Sequence, residues 1–157
     1  MKVLLLQVDK TQDSYLAEGL QVYQKRLDNY CTFQDMTINM PKEVRQRSFS
    51  EQKKAEATQI LKQLKAEDVL VLLDEKGKEY TSVEFAGFLR QRQNSSVKRL
   101  IFLIGGPFGF DDEIYKRANF KLSLSKMTFS HQMVRLFFLE QLYRGFTILK
   151  GEKYHHE

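Results

Sequence analysis

Two short segments, Val69-Leu70-Val71-Leu72-Leu73 and Leu100-Ile101-Phe102-Leu103-Ile104, restrict the fold more than anything else in the chain. A strand with one face in water alternates apolar and polar residues. An unbroken apolar run is the pattern of a strand covered on both faces, which is the situation of central strands in parallel sheets. Helical patterns separate these runs from one another and from further strand patterns. The order of elements therefore predicts an α/β fold, a mostly parallel sheet flanked by helices.

The remaining elements follow from spacing and caps. Lys2–Val8 reads as a buried strand, and residues 12–30 as a helix carrying Tyr15, Leu16, Leu20, Tyr23 and Leu27 near helical spacing. Thr32–Asn39 reads as a strand and Pro41 to Arg47 as a basic loop. Ser48 or Ser50 can cap a helix reaching about Lys65. Asp74-Glu75-Lys76-Gly77 reads as a turn, and Thr81-Ser82-Val83-Glu84 as a capping box opening a helix to about Gln91. Asp111 caps a short helix to about Ala118, Phe120–Ser125 is the last strand, and His131–Leu149 the last helix. No linker or repeat divides the chain, so residues 1–157 are expected to form a single domain.

The last helix is too apolar for a surface helix, which shows one apolar stripe. Met133, Val134, Leu136, Phe137, Phe138, Leu139, Leu142, Tyr143 and Phe146 cover most of its circumference. It needs cover on more than one side, from its own domain and from a second chain. The loop in front of it, Ser125 to Ser130, joins a buried strand to this helix and is a suitable place for a ligand pocket.

Composition excludes several classes. No segment approaches the roughly 20 apolar residues of a membrane span, and the N-terminal apolar run is too short for a signal peptide. The single cysteine, Cys31, rules out an intrachain disulfide framework and a multi-cysteine zinc site, so a cytoplasmic protein is expected, with Cys31 as a small core residue. The net charge of +5 is localised: residues 115–157 hold eight basic residues against three acidic ones, while the first 114 residues are neutral. A polyanionic partner is expected there, with nucleic acid the leading candidate.

In open parallel sheets ligands bind outside the carboxyl ends of the strands. Three such ends are readable: Leu73-Asp74-Glu75, Ile104-Gly105-Gly106 and Leu124-Ser125-Lys126-Met127-Thr128. Gly105-Gly106-Pro107-Phe108-Gly109 matches neither the dinucleotide fingerprint nor the Walker loop, and a tight strand-to-helix turn explains it as well as a ligand does. His131 and Arg135 are four apart and share a helix face, as do Glu140 and Arg144. His131 has no partners in register for a metal. Arg144 admits two readings, a structural pair with Glu140 or a contact to phosphate. Spacing alone assembles no nucleophile–base set.

Leu73-Asp74-Glu75-Lys76-Gly77, Phe102–Gly109, the stretch Ser125-Lys126-Met127-Thr128-Phe129-Ser130-His131-Gln132-Met133-Val134-Arg135 followed by Glu140-Gln141-Leu142-Tyr143-Arg144, and the ending Tyr154-His155-His156 closely resemble the ribosomal RNA large subunit methyltransferase H family. The resemblance covers the whole length. One departure is early: Val8-Asp9-Lys10 stands where relatives often have glycine after the first strand. The family implies a SPOUT-type α/β fold with a C-terminal trefoil knot, and an enzyme that methylates N3 of a pseudouridine in 23S (large-subunit) rRNA on assembled ribosomes. It implies S-adenosyl-L-methionine as cofactor, held by Leu73, Gly105, Leu124, Ser125, Lys126, Met127, Thr128 and Phe129. It also implies a homodimer, no metal and no membrane. Tyr154 and His155 of the partner's tail would contact the pseudouridine, with His155 as base or base-positioner, and Arg135, Arg144 and Lys153 would supply positive potential toward RNA. Two other readings stay open: a SPOUT methyltransferase for another RNA such as tRNA, and a non-catalytic RNA-binding ribosome-assembly factor.

Overall fold

A computed structural model describes residues 1–156. Five strands, β1 (Lys2–Val8), β2 (Thr32–Ile38), β3 (Val69–Glu79), β4 (Arg99–Ile104) and β5 (Phe120–Ser123), form one sheet in the order β2-β1-β4-β3-β5. Every pairing is parallel. Five helices, α1 (Ser14–Leu27), α2 (Phe49–Gln63), α3 (Ser82–Asn94), α4 (Asp112–Arg117) and α5 (Met133–Leu149), make the connections. The α/β reading is thus correct.

The uninterrupted apolar strands reflect two cores, one on each side of the sheet. Val3, Leu5, Val71, Leu100 and Phe102 point toward α1, α3 and α5, where they meet Leu20, Phe85, Leu89, Phe138 and Leu142. Leu4, Leu6, Leu70, Leu72, Ile101 and Leu103 point the other way, toward Ala57 and Ile60 of α2 and Ile114 of α4. Alternate side chains of a strand serve opposite faces, so both sets must be apolar.

Local signals act where the sequence places them. Ser48 Oγ accepts from the Glu51 amide at 3.2 Å and starts α2. At Thr81 the capping box is complete, with bonds of 3.1 and 2.7 Å between it and Glu84. Asp111 caps α4 through the Glu113 amide at 3.2 Å. The stretch expected as a basic loop holds a short 3-10 turn, Lys42–Gln46. The last helix begins at Met133 rather than His131, after a turn in which Ser130 Oγ accepts from the Met133 amide.

One expectation needs correction. Asp74–Gly77 does not end β3, which continues to Glu79. Both Leu73 and Lys78 stand opposite Leu122 of β5, so residues 74–77 arch out of the pairing between them. The arch is possible because Gly77 lacks a side chain: a Cβ there would lie 2.7 Å from the Leu122 nitrogen.

The apolar helix α5 is covered by the sheet, by α1 and by α3. Gly19 of α1 receives Leu136, whose Cδ1 would lie 3.0 Å from a Cβ at that position. Phe137 remains 48% exposed, stacked on Phe129 at 4.9 Å. Among the described residues no helix is long and apolar enough to cross a membrane.

Candidate active site

The arch of β3 and the carboxyl ends of β4 and β5 enclose a cleft of about 650 Å³. Three walls form it: the arch after Leu73, the loop from Gly105 to Phe110, and the segment from Leu122 to His131. Of the residues expected to hold a cofactor, Leu73, Gly105, Leu124, Ser125, Met127, Thr128 and Phe129 line the cleft, while Lys126 does not and points to solvent.

Cross-links hold these walls in register. Thr128 Oγ1 donates to Glu75 Oε2 at 2.7 Å, joining the β5 loop to the arch. The Tyr115 hydroxyl donates to Asp74 Oδ2 at 2.7 Å, joining α4 to the arch. Desolvation and the adjoining carboxylate push that phenol up to about 12, so it stays protonated and donating. Ser125 Oγ accepts from the Met127 amide at 2.9 Å and turns the loop. Sequence pattern does not reveal the links to the arch, because they join positions up to 53 residues apart.

The Gly105–Gly106 pair is packed rather than loose. A Cβ on Gly105 would meet the Phe110 ring at 2.8 Å, and one on Gly106 would meet Glu56 Oε1 at 2.5 Å. Glu56 is buried beneath the loop and paired with Arg45 at 3.2 Å. Burial raises its carboxyl above the usual range, against the opposing charge of Arg45. We expect Gly105→Ala to cost about 1–3 kcal/mol of stability, the scale of overpacking, because the added methyl drives into the buried Phe110 ring. A lowered thermal midpoint in calorimetric unfolding checks this.

Arg135 is the main departure from expectation. It is fully buried and cannot face RNA. Its guanidinium donates to the Val8 and Asp9 carbonyls at 2.8 Å each and to Thr11 Oγ1 at 3.1 Å, while Nε returns to the His131 carbonyl at 3.1 Å. Desolvation brings its pKa down to about 10, with Asp35 opposing, so it is charged at neutral pH. Arg135 therefore ties the end of β1 to the start of α5. Within Val8-Asp9-Lys10, the early departure from the family pattern, Asp9 has φ of 61°, a left-handed conformation that aspartate tolerates better than most residues. Its carboxylate accepts from the Met40 amide at 3.0 Å and pairs with Arg45. The departure keeps the backbone geometry a glycine would adopt and adds a polar anchor. His131 lies beside this assembly, and burial followed by the charges of Arg135 and Arg45 lowers its pKa.

The C-terminal tail is docked rather than frayed. The Tyr154 hydroxyl donates to Glu140 Oε1 at 3.0 Å, and its ring stands 4.7 Å from Tyr143 and beneath the Arg144 guanidinium at 4.8 Å. Glu140 Oε1 also accepts from Arg144 Nη2 at 2.5 Å. Arg144 Nη1 lies 3.2 Å from His155 Nδ1. A guanidinium only donates, so Nδ1 accepts and the neutral ring carries its proton on Nε2. The structural reading of Arg144 is the one seen: it is paired with Glu140 and also holds His155. Lys153 is exposed beside it. Among the described residues of the tail, none lines the cleft of its own chain.

The basic excess is also sorted by burial. Arg117 donates to the Lys65 and Asp68 carbonyls at 2.9 Å each, Arg135 is buried and Arg144 is paired. Lys116, Lys121, Lys126, Lys150 and Lys153 remain as exposed charge. Cys31 is half-buried against the core, and desolvation raises its thiol to about 11. Among the described residues no group of three His, Cys, Asp or Glu side chains is placed to hold a metal ion.

A parallel sheet with a glycine-containing cleft at the arch of β3 and the ends of β4 and β5 defines a class, and the family model described as "Predicted SPOUT methyltransferase" matches residues 1–155. Full-length relatives narrow it. Ribosomal RNA large subunit methyltransferase H of Cytophaga hutchinsonii is 55% identical over 156 residues, covering 99% of this chain and all of the relative. The proteins of that name from Flavobacterium johnsoniae and Parabacteroides distasonis are 52% and 49% identical over 157 residues, covering both chains completely. The chain belongs to the ribosomal RNA large subunit methyltransferase H family of SPOUT methyltransferases, and it is an enzyme of that family.

Proposed function

We propose that the chain transfers a methyl group from S-adenosyl-L-methionine to N3 of a pseudouridine in 23S rRNA, acting on assembled ribosomes in the cytoplasm. The observation that carries this reading is the cleft itself. Its volume suits a cofactor-sized ligand, and its walls combine glycine backbone, small polar and apolar side chains with Asp74, Glu75, Lys76, Tyr115 and His131, the first two and Tyr115 engaged in holding the walls together. Leu73, Gly105, Leu124, Ser125, Met127, Thr128 and Phe129 would hold the cofactor. When bound, it supplies a methyl group activated by its sulfonium. Lys126, exposed at the same loop, is better suited to phosphate than to the cofactor.

The protein's part is to present N3 in line with that methyl and to favour the anion that forms as the imino proton leaves. His155 suits the second task as a positioning donor. Held by Arg144 at Nδ1, the ring is positioned to act on the pyrimidine beside N3. Arg144 adds positive potential behind it, and the Tyr154 ring offers a stacking surface.

The tail packs on α1 and α5 of its own chain, away from its own cleft, so a second chain is needed to bring tail and cleft together. That separation supports a homodimer, as do Tyr15 (62% exposed), Val22 (47%) and Phe137 (48%) on α1 and α5. Membership of the family implies a trefoil knot within a single domain.

Calorimetry with S-adenosylmethionine, followed by transfer of labelled methyl to ribosomes and to tRNA, tests the reading. Saturable binding and transfer to ribosomes alone are expected. Transfer to tRNA alone would select another RNA substrate, and RNA binding without cofactor binding would select an assembly factor. In the same assay His155→Ala is expected to lower kcat about a hundredfold, the usual scale for losing one donor to a developing anion. Unchanged kcat would remove the tail from the mechanism.

A further inference from the structure

Beside the cleft, on the side of α2, two aromatic side chains stand against each other in solvent. Phe49, the first residue of α2, is 62% exposed, and Phe108, in the loop after β4, is 38% exposed. Their ring centroids are 3.8 Å apart with the planes 20° from parallel. Phe108 lines the cleft and Phe49 does not. Phe49 is therefore the outer ring of a two-ring stack at the cleft mouth. Single exposed apolar residues are ordinary on protein surfaces, but a stacked pair at the rim of a site presents an aromatic face with no partner of its own chain accounting for it.

The segment that carries Phe49 is net basic, while three acidic residues, Asp111, Asp112 and Glu113, follow Phe108 on the other side of the pair. Outside the Arg45–Glu56 pair, residues 42–54 hold four basic side chains, Lys42, Arg47, Lys53 and Lys54, and two acidic ones, Glu43 and Glu51. Lys53 is four residues beyond Phe49 and shares its helix face. Lys42 and Arg47 are exposed on the turn that leads into α2. Aromatic faces interleaved with cations are the elements of single-stranded nucleic-acid binding, because every base offers a π-face and the backbone offers charge.

We propose that Phe49 and Phe108 form a stacking platform for an unpaired nucleobase of the substrate RNA, with Lys42, Arg47 and Lys53 holding the adjoining phosphates. The proposal rests on the RNA methyltransferase reading. Methyl transfer requires the target base inside the cleft, so the neighbouring nucleotides must pass its mouth, where Phe108 is part of the wall. The platform lies on the α2 flank, made from a segment that the C-terminal basic quarter does not include.

The test uses the full-length protein and ribosomal substrate. Phe49→Ala is expected to raise KM for the ribosomal substrate about tenfold, leaving kcat and the Kd for S-adenosylmethionine unchanged, while Phe49→Trp keeps the wild-type KM. Arg47→Glu is expected to raise KM and to make its salt dependence shallower. An unchanged KM in Phe49→Ala overturns the platform, as does an equal loss of cofactor affinity, which would make the pair a cover for the cofactor. A shift of oligomeric state in Phe49→Ala would instead mark a contact between chains and also overturns it. If the wild-type protein transfers no methyl to rRNA, the parent reading fails as well; transfer by wild type with an unaltered KM in Phe49→Ala removes the platform alone.

Discussion

Replacing Arg135 by methionine is expected to lower stability by about 3–5 kcal/mol, the range for removing one member of a buried, hydrogen-bonded charge assembly. The reason lies in what remains behind. The side chain is fully buried, and its departure leaves the Val8, Asp9 and His131 carbonyls without that donor. Buried acceptors cost more when abandoned than their bonds contribute when made. In a chain of this size each kcal/mol corresponds to roughly 2–4 °C in Tm, so the melting temperature should fall by roughly 10 °C. Arg135→Lys keeps the charge but cannot span the two strand-end carbonyls and Thr11 together, and should fall between. A Tm for Arg135→Met within about 2 °C of wild type, the shift expected from less than 1 kcal/mol, would contradict this assignment when measured by calorimetry. It would return Arg135 to the surface role that its position on the helix suggests.

Gly77→Ala is expected to cost about 1–3 kcal/mol, the scale of overpacking a tight site. Its added methyl would meet backbone, at 2.7 Å from both the Leu122 nitrogen and the Lys121 carbonyl carbon, and backbone in a paired strand cannot rotate away as a side chain can. Relief requires the arch at 74–77 to lift from β5, and the arch is a wall of the cleft. Loss of stability should therefore accompany a loss of cofactor affinity. Gly87→Ala is the control, since nothing lies within 4 Å of a Cβ placed there. A Gly77→Ala protein with wild-type Tm and wild-type cofactor binding would show that the arch is not constrained by β5.

The contrast between these two residues and the rest of the chain shows what a sequence carries locally. The buried strands Lys2–Val8 and Leu100–Ile104 and the cap at Thr81 are legible because periodicity and capping act within a few residues. The position of the cleft is legible too, since a parallel sheet places ligands at the strand ends. Arg135 is not, because its partners at Val8 and Asp9 lie more than 120 residues away, and spacing on α5 says only that it shares a face with His131. The arch of β3 is hidden for the same reason: Asp-Glu-Lys-Gly is a good turn by composition, and only the register against β5 keeps the chain in the sheet. Tyr154 and His155 would pass for a frayed end without the family resemblance. They are ordered by Tyr143, Glu140 and Arg144, which in the sequence read individually as helix apolar face and salt bridge.

Mass spectrometry of 23S rRNA from a strain lacking this gene measures the central claim most directly. Loss of one methyl group on a single pseudouridine is expected, restored by the wild-type gene and not by the His155→Ala variant. An unchanged modification map in the deletion strain would contradict the assignment of this chain as the pseudouridine N3-methyltransferase.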